Sequence, residues 1–221
     1  MKFYWVKTHW LIKKLFSGFT WHFPTSKKIV YLTFDDGPTP EVTTWTLKIL
    51  KSYNAKATFF CIGENIARHP NLYKELQRQG HSVGNHTFNH LNGWHSTAET
   101  YMENVDKTEK IMADFSLKDT FRKPLFRPPY GKLQPKQSRL LQEKGYTIIM
   151  WDVLSADFDT KISPKQCAEN VLKNIQPGSI IIFHDSVKAS KNLTYALPQT
   201  LAYLQKNGYE MKAIKCAPEP N

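Results

Sequence analysis

A chain of 221 residues with 41% hydrophobic and 13% aromatic side chains carries apolar material for one good-sized core, which excludes a disordered chain and leaves little room for a second full domain. The formal net charge of +11 favours anionic partners or surfaces. Three cysteines, Cys61, Cys167 and Cys216, leave one unpaired and show no metal-ligand spacing, so the chain is not a disulfide scaffold.

Residues 1–26 read as a basic, aromatic extension and residues 27–221 as a single domain. Residues 1–34 hold Lys2, Lys7, Lys13, Lys14, Lys27 and Lys28 and no acidic side chain. The apolar runs there are too short and too broken by lysine to span a bilayer, and no cleavable signal peptide is recognisable. As a helix, the segment places Trp5, Ile12, Leu15, Phe16 and Phe19 on one side and Lys7, Lys13 and Lys14 elsewhere. That pattern suits a helix lying on an anionic membrane, and equally one packed over an end of the domain. The charge makes the cell envelope the expected workplace.

Beyond residue 27, strand-like and helix-like segments alternate. "KIVYLTF" reads as a buried strand and Glu41 to Tyr53 as a helix with Val42, Trp45, Ile49 and Tyr53 on one face. "KATFFCIG" is the second strand, with Cys61 a small buried hydrophobe. Pro70 to Gln79 is a short helix stopped by Gly80, "HSVGNH" a weak third strand, and Thr97 to Asp114 a long helix. Helices over Pro135 to Lys144 and Pro164 to Asn174 flank the strand "YTIIMW". "GSIIIFH" is a strand, Leu193, Leu197, Leu201 and Leu204 mark the last helix, and "YEMKAI" closes the series. Repeated strand–helix units mean parallel strands with helical crossovers, in an open sheet or a barrel. The chemically distinctive residues decide between them. Asp35 and Asp36, His86 and His90, Asp152 and Asp157, and His184 each follow a strand, and the mouth of a barrel gathers such a set.

"HTFNH" sets His86 and His90 four apart, so a helical turn would point both imidazoles the same way. With a carboxylate they make three ligands and leave a position open for water, as a hydrolytic zinc site requires. In "TFDDGP", one of Asp35 and Asp36 would be the third ligand and the other would take a proton from the attacking water. "FRPPYG" stiffens the chain beside Arg127, which would clamp a carboxylate bidentately, while backbone N–H groups of Tyr130 or Gly131 would face a developing oxyanion. His184 would be a general acid for a leaving group, held by Asp157 or Asp185. Ile182, on the same strand face, would wall a small acyl methyl.

These pieces, in this order, resemble the polysaccharide deacetylases, the NodB-homology carbohydrate esterases. "TFDDGP" (33–38), "HTFNH" (86–90) and "RPPYG" (127–131) match the family's first three motifs, "LSADF" (154–158) is a weaker match to its D-x-x-D-W motif, and "IFH" (182–184) matches its hydrophobic-x-H motif. The span runs from about Lys27 to Ile214. The resemblance implies an α/β fold, a distorted (β/α)7 barrel, and removal of N- or O-acetyl groups from polysaccharides. It implies Asp35 as general base, Asp36, His86 and His90 as metal ligands, and Arg127 orienting Asp35. His184 would be the general acid tuned by Asp157, Tyr130 the backbone oxyanion donor, and Ile182 the lining of the acetate pocket. Leu154 and Phe158 depart from the pattern, standing where many members have the first aspartate and the tryptophan of the fourth motif.

The expected reaction is metal-dependent deacetylation of N-acetylglucosamine units in peptidoglycan or a chitin-like glycan. One divalent ion is expected, zinc first, with cobalt or nickel suited to the same ligands. The alternatives are an O-acetyl esterase acting on xylan or another polysaccharide and a non-catalytic glycan-binding envelope protein. The expected partner is the acetylated glycan, with peripheral association to an anionic membrane or cell wall and a monomeric state. No nucleic-acid partner is expected, since no recognised module accompanies the basic charge.

Overall fold

A computed structural model describes residues 5–117 and 124–215. Lys2, Cys216 and the start of the proline-rich stretch, Arg122 and Lys123, lie outside the described residues. In chain order the elements are α1 (Trp10–Leu15), β1 (Ile29–Asp35), α2 (Pro40–Ser52), β2 (Ala57–Cys61), α3 (Gly63–Arg68), α4 (Pro70–Arg78), β3 (Ser82–Asn85) and α5 (Ala98–Asp114). They continue with β4 (Leu125–Phe126), α6 (Pro135–Glu143), β5 (Thr147–Ile148), β6 (Val153–Leu154), α7 (Pro164–Leu172), β7 (Ile180–His184), α8 (Ser190–Lys206) and β8 (Glu210–Met211).

The strands form a curled parallel sheet of order β5-β4-β3-β2-β1-β7-β6, with β8 added beside the start of β1. This is the expected NodB-type distorted barrel. The central strand β1 pairs with β2 and β7, both parallel, and its last residue Asp35 stands opposite Phe60 on one side and His184 on the other. Strand alternation explains the two layers. Leu32 and Phe34 face the helices, where Phe34 stacks on Phe59 and Phe183 in the main core. Thr33 and Asp35, on the opposite face, point into the curl. The helices bury the complementary apolar faces, Val42, Leu47 and Leu50 from α2 and Leu193, Leu197, Leu201 and Leu204 from α8. On α2 the fully buried stripe runs through Thr43, Thr46, Leu47 and Leu50, while Trp45, Ile49 and Tyr53 pack at its margin. The centre of the helical face is therefore rotated from the one predicted. Cys61 is fully buried, as expected of a small hydrophobe.

The curl leaves β5 and β6 as edges, and the amino-terminal segment covers both. Thr20 N–H donates to the Ile148 carbonyl at 2.9 Å and its own carbonyl accepts from Met150 at 2.8 Å. Thr8 N–H donates to Asp152 at 2.9 Å, and Leu154 N–H donates to Val6 at 2.8 Å. Unpaired edge groups are thereby satisfied. Trp21 is buried in a second core with Phe126, Leu141, Tyr146 and Met150. Among the described residues of this segment only six are helical, in α1, so no long amphipathic helix forms over residues 5–26. The lysines have a different job from the one expected. Lys7 (2.6 Å) and Lys13 both bind the carboxylate of Asp152, which is buried and also accepts from the Ser179 hydroxyl at 2.6 Å. Asp152 is therefore an anchor for this segment and does not join the strand-end cluster. Among the described residues, no helix is long and apolar enough to cross a membrane.

Candidate active site

Asp35 ends β1, and the chain turns sharply after it. Asp36 has φ 79° and Gly37–Pro38 is a cis peptide. The turn is held from β7: Asp185 accepts from Gly37 N–H at 3.1 Å and from the Thr43 hydroxyl. Gly37 is required here, because a Cβ would stand 2.0 Å from an Asp185 carboxylate oxygen. Asp185 is thus a brace for the Asp36 turn, while Asp157 alone holds His184. Burial raises the Asp185 carboxyl to about 7, with Thr43 pulling it down and Asp36 pushing it up.

The side chains of Asp36, His86 and His90 converge, with one ligand atom of each within 4.8 Å of the others. His90 Nε2 lies 3.3 Å, and His86 Nε2 3.7 Å, from Asp36 Oδ1. Three ligands each about 2.0–2.1 Å from a tetrahedral ion stand about 3.3 Å apart, so the cluster is close to coordinating geometry. Asp36 Oδ1 is buried and makes no hydrogen bond, which is costly for an acceptor without a cation beside it. His86 Nδ1 lies 2.7 Å from the Arg127 carbonyl. Its N–H then donates there and leaves the Nε2 lone pair for the cluster. Burial, with His90 beside it, pushes His86 down to about 3, and burial also lowers His90. Both shifts favour the neutral imidazole, the form that ligates. These observations fit a divalent ion.

The histidines reach the site by a bend instead of the predicted helical turn. Thr87 (φ 63°) and His90 (φ 59°) are both left-handed. Asn85 Oδ1 accepts from Thr87 N–H at 2.9 Å, the Thr87 hydroxyl accepts from Leu91 N–H at 2.9 Å, and Asn104 accepts from Phe88 N–H at 2.6 Å. The carbonyls of Thr87 and Phe88 take the first N–H groups of α3, Gly63 and Glu64. Of the six described non-glycine residues with positive φ, Asp36, Thr87, His90, Tyr130 and Ala156 all lie in the five motifs. Backbone strain is concentrated where side chains are being aimed, the usual signature of a functional site.

Arg127 is fully buried and stacks 4.2 Å from the Phe60 ring. One guanidinium nitrogen, Nη1, donates to Asp35 Oδ1 at 2.7 Å and to the Thr33 hydroxyl at 2.8 Å; Nε and Nη2 donate to the carbonyls of Ile149 (3.1 Å) and Met150 (2.9 Å). The bidentate clamp is not what forms. A single charged bond fixes Asp35, and the rest of the fork ties the arginine to the chain after β5. Asp35 Oδ2 is left facing the cluster, 3.8 Å from His86 Nε2.

His184 closes the far side. Its Nδ1 lies 2.7 Å from Asp157 Oδ1, and its backbone N–H donates to Asp157 Oδ2 at 2.8 Å. Burial pushes the His184 imidazole down, but Asp157, helped by Asp36 and Asp35, outweighs it and raises His184 to about 9. The Phe158 ring meets His184 edge-on at 5.0 Å. Ile182, Leu154 and Ala156 form a small buried apolar cluster edged by Trp151, Phe158 and Ile162. Tyr130 (φ 60°) is exposed, with its ring edge-on to His90 at 4.4 Å. Every singled-out residue therefore lies at this one mouth except Asp152, and Asp185 stands just beneath it. Sequence reasoning missed Thr33, Asn85 and Asn104. Thr33 was accessible from strand alternation, two residues before Asp35. The asparagines carry no periodic signal.

A sequence-family model for polysaccharide deacetylase matches residues 22–149. The chain belongs to the polysaccharide deacetylase family. A peptidoglycan-N-acetylglucosamine deacetylase of Bacillus cereus is 33% identical over 197 residues, covering 88% of this chain and 90% of that protein. Other relatives are longer: the chain spans 64% of a second Bacillus cereus deacetylase. Among solved structures, the Bc1960 peptidoglycan N-acetylglucosamine deacetylase, bound to an N-hydroxybenzamide compound, has a TM-score of 0.83 at 31% identity and covers 95% of this chain and 100% of that one. A pseudoenzyme of the same family from Bacillus anthracis, BA3943, has a TM-score of 0.77 at 25% identity, over 88% of this chain and 66% of that one. Family membership therefore does not by itself establish catalysis in this polysaccharide deacetylase, and the geometry of the site carries that argument.

Proposed function

We propose that this chain hydrolyses the N-acetyl group of N-acetylglucosamine units in a polysaccharide, peptidoglycan or chitin-like, and releases acetate. The observation that carries the reading is the Asp36–His86–His90 cluster with an unbonded Asp36 oxygen, flanked by a fixed carboxylate and a protonated imidazole. The relatives named for peptidoglycan deacetylation support the choice of glycan.

Asp36, His86 and His90 would hold one divalent ion, zinc first and cobalt or nickel next. When bound, that ion supplies polarisation of the acetyl carbonyl and acidification of water. Asp35 Oδ2 takes the proton of the attacking water, while Arg127 on Oδ1 keeps the carboxylate oriented. His184 stands opposite Asp35 on the neighbouring strand, about 4.8 Å away along the sheet. It delivers its proton to the departing amine nitrogen as the C–N bond breaks. The backbone N–H of Tyr130 steadies the negative oxygen. Ile182, with Leu154 beside it, walls the acetyl methyl. Acetate and a free amino sugar result; Asp35 gives its proton to solvent and His184 takes one back, which resets both groups.

The test is acetate release from chitin oligomers and peptidoglycan after chelation and after adding zinc back. Metal-dependent release with a new primary amine is expected. Release without an amine makes the chain an O-acetyl esterase, and no release from any acetylated glycan sinks the hydrolase. We also place the protein at the envelope as a monomer, on its +11 charge and the exposed Trp10, Leu11, Leu15 and Phe16 around α1. Flotation with anionic vesicles, lost in a Leu15→Ser, Phe16→Ser variant, is the expected result. Equal flotation of both proteins removes the proposal.

A further inference from the structure

Beside the metal ligands the chain builds a second feature that the reaction above does not use. Four residues after His90, Trp94 stands in a 3-10 turn, Gly93–His95, with its ring more than half exposed. A single exposed tryptophan needs no explanation on its own. The support beneath this one does. The fully buried amide of Gln137 donates to the Gly93 carbonyl (2.8 Å) and the Ser96 carbonyl (3.2 Å), and Gln134 donates to the same two at 3.0 and 3.2 Å. Asn92 accepts from Trp94 N–H at 3.0 Å, and the Ser96 hydroxyl returns to the Asn92 carbonyl at 3.0 Å. Gly93 is so tightly seated that a Cβ would meet the Lys132 carbonyl at 2.5 Å. Six polar bonds and a close backbone contact thus fix the short loop that carries this exposed apolar ring, which the hydrophobic effect alone would fold away.

Its position is as telling as its rigidity. The Trp94 loop follows β3 and leans on residues 132–133, which follow β4, the adjacent strand. Lys132 places its ammonium 4.9 Å from the Trp94 ring centroid. Two residues before Lys132, the exposed Tyr130 ring rests on the metal ligand His90. Four residues of chain reach at most about 14 Å, so the Trp94 backbone lies within about two or three sugar lengths of the His90 backbone. A flat, rigid aromatic face is the natural partner for the axial C–H face of a pyranose and is ordered at little entropic cost.

We propose that Trp94, backed by Lys132, is a binding platform for a sugar ring of the glycan one or two units from the residue being deacetylated, so that the chain prefers β-linked amino-sugar oligomers of at least three or four units. The inference rests on the glycan reading of the site. Trp94 acts on binding and touches no reacting atom.

The experiment compares wild type with Trp94→Ala and Trp94→Phe on N-acetylglucosamine oligomers of two to six units. The expected result is that the ratio of kcat/KM for hexamer to that for dimer falls about tenfold in W94A, through KM and not kcat, and recovers in W94F. An unchanged ratio, or an equal loss at every length, overturns the platform. If wild type releases no acetate from any oligomer, calorimetric titration of the same proteins with chitohexaose decides separately. Hexamer binding weakened about tenfold in W94A upholds the platform while the hydrolase reading fails, and equal or absent binding overturns it.

Discussion

The Asp157–His184 pair gives the sharpest test of the proposed chemistry. Asp157→Asn keeps the shape of the side chain and removes its charge. One amide oxygen cannot serve both the His184 ring N–H and the His184 backbone N–H, which the two carboxylate oxygens now accept. With the carboxylate gone, burial dominates, and the imidazole falls from about 9 to below its ordinary 6.5. At pH 8.5 about three quarters of wild-type molecules would carry the proton, against about one in a hundred of the variant. The assay is the pH profile of kcat/KM on an N-acetylglucosamine tetramer from pH 5.5 to 9.5. The alkaline limb of D157N is expected to move at least about two units toward acid. Activity at pH 8.5 falls by nearly two orders of magnitude, and much less at pH 5.5. Stability follows the same sign. The folded-state value is raised, so the pair's contribution, roughly 3 kcal/mol, is complete below pH 6.5 and is lost as pH rises toward 9. A D157N profile with the wild-type alkaline limb would refute the assignment of the leaving-group proton to His184.

Arg127→Met is expected to leave Asp35 buried without its cation and to lower unfolding free energy by about 3–5 kcal/mol, read by urea denaturation, together with loss of deacetylation. Asp36→Asn suits the left-handed turn at that position and should keep the fold while lowering bound zinc at least tenfold, measured by elemental analysis after dialysis; full zinc occupancy in D36N would remove Asp36 from the ligand set. Lys7→Met combined with Lys13→Met strands the buried Asp152 and should cost about 3 kcal/mol at pH 7. Burial pushes the Asp152 carboxyl up, but Lys13, Lys7 and Ser179 hold it below its ordinary value, so that contribution is present at neutral pH and fades below about pH 4. The gap between wild type and the double variant should therefore close in acid unfolding curves.

Much of this architecture was legible because it rests on strong local signals. β1, β2 and β7 are runs of β-branched and aromatic residues buried on both faces, and proline opens α2, α4, α6 and α7 where its missing N–H costs least. The short strands were harder. β4 and β6 have two residues each, too few for any period to register. The amino-terminal segment misled for a different reason. Its amphipathic pattern is real, but Asp152, more than a hundred residues away, captures Lys7 and Lys13, and the open edges of β5 and β6 capture the backbone. Pairing across such a distance overrides helix propensity and leaves no trace in local sequence. The bend at "HTFNH" was misread similarly, since two histidines four apart converge either on a helical turn or on a left-handed bend pinned by Asn85 and Asn104.

The fourth motif shows how a departure from pattern can still serve the proposed site. Leu154 stands where many family members carry an aspartate, yet it pairs in register with Ile182 across β6 and β7. Both side chains belong to one buried apolar cluster, so the substitution extends the wall proposed for the acetyl methyl and adds no charge near it. Phe158 replaces a larger ring but still sets its edge against His184. The irreplaceable member is Asp157. It is fully buried, holds His184 by both backbone and side chain, and has its own carbonyl tied by Asn192 at 3.1 Å. A motif can therefore lose two of its landmarks while its one electrostatic duty, keeping a buried imidazole charged, stays intact.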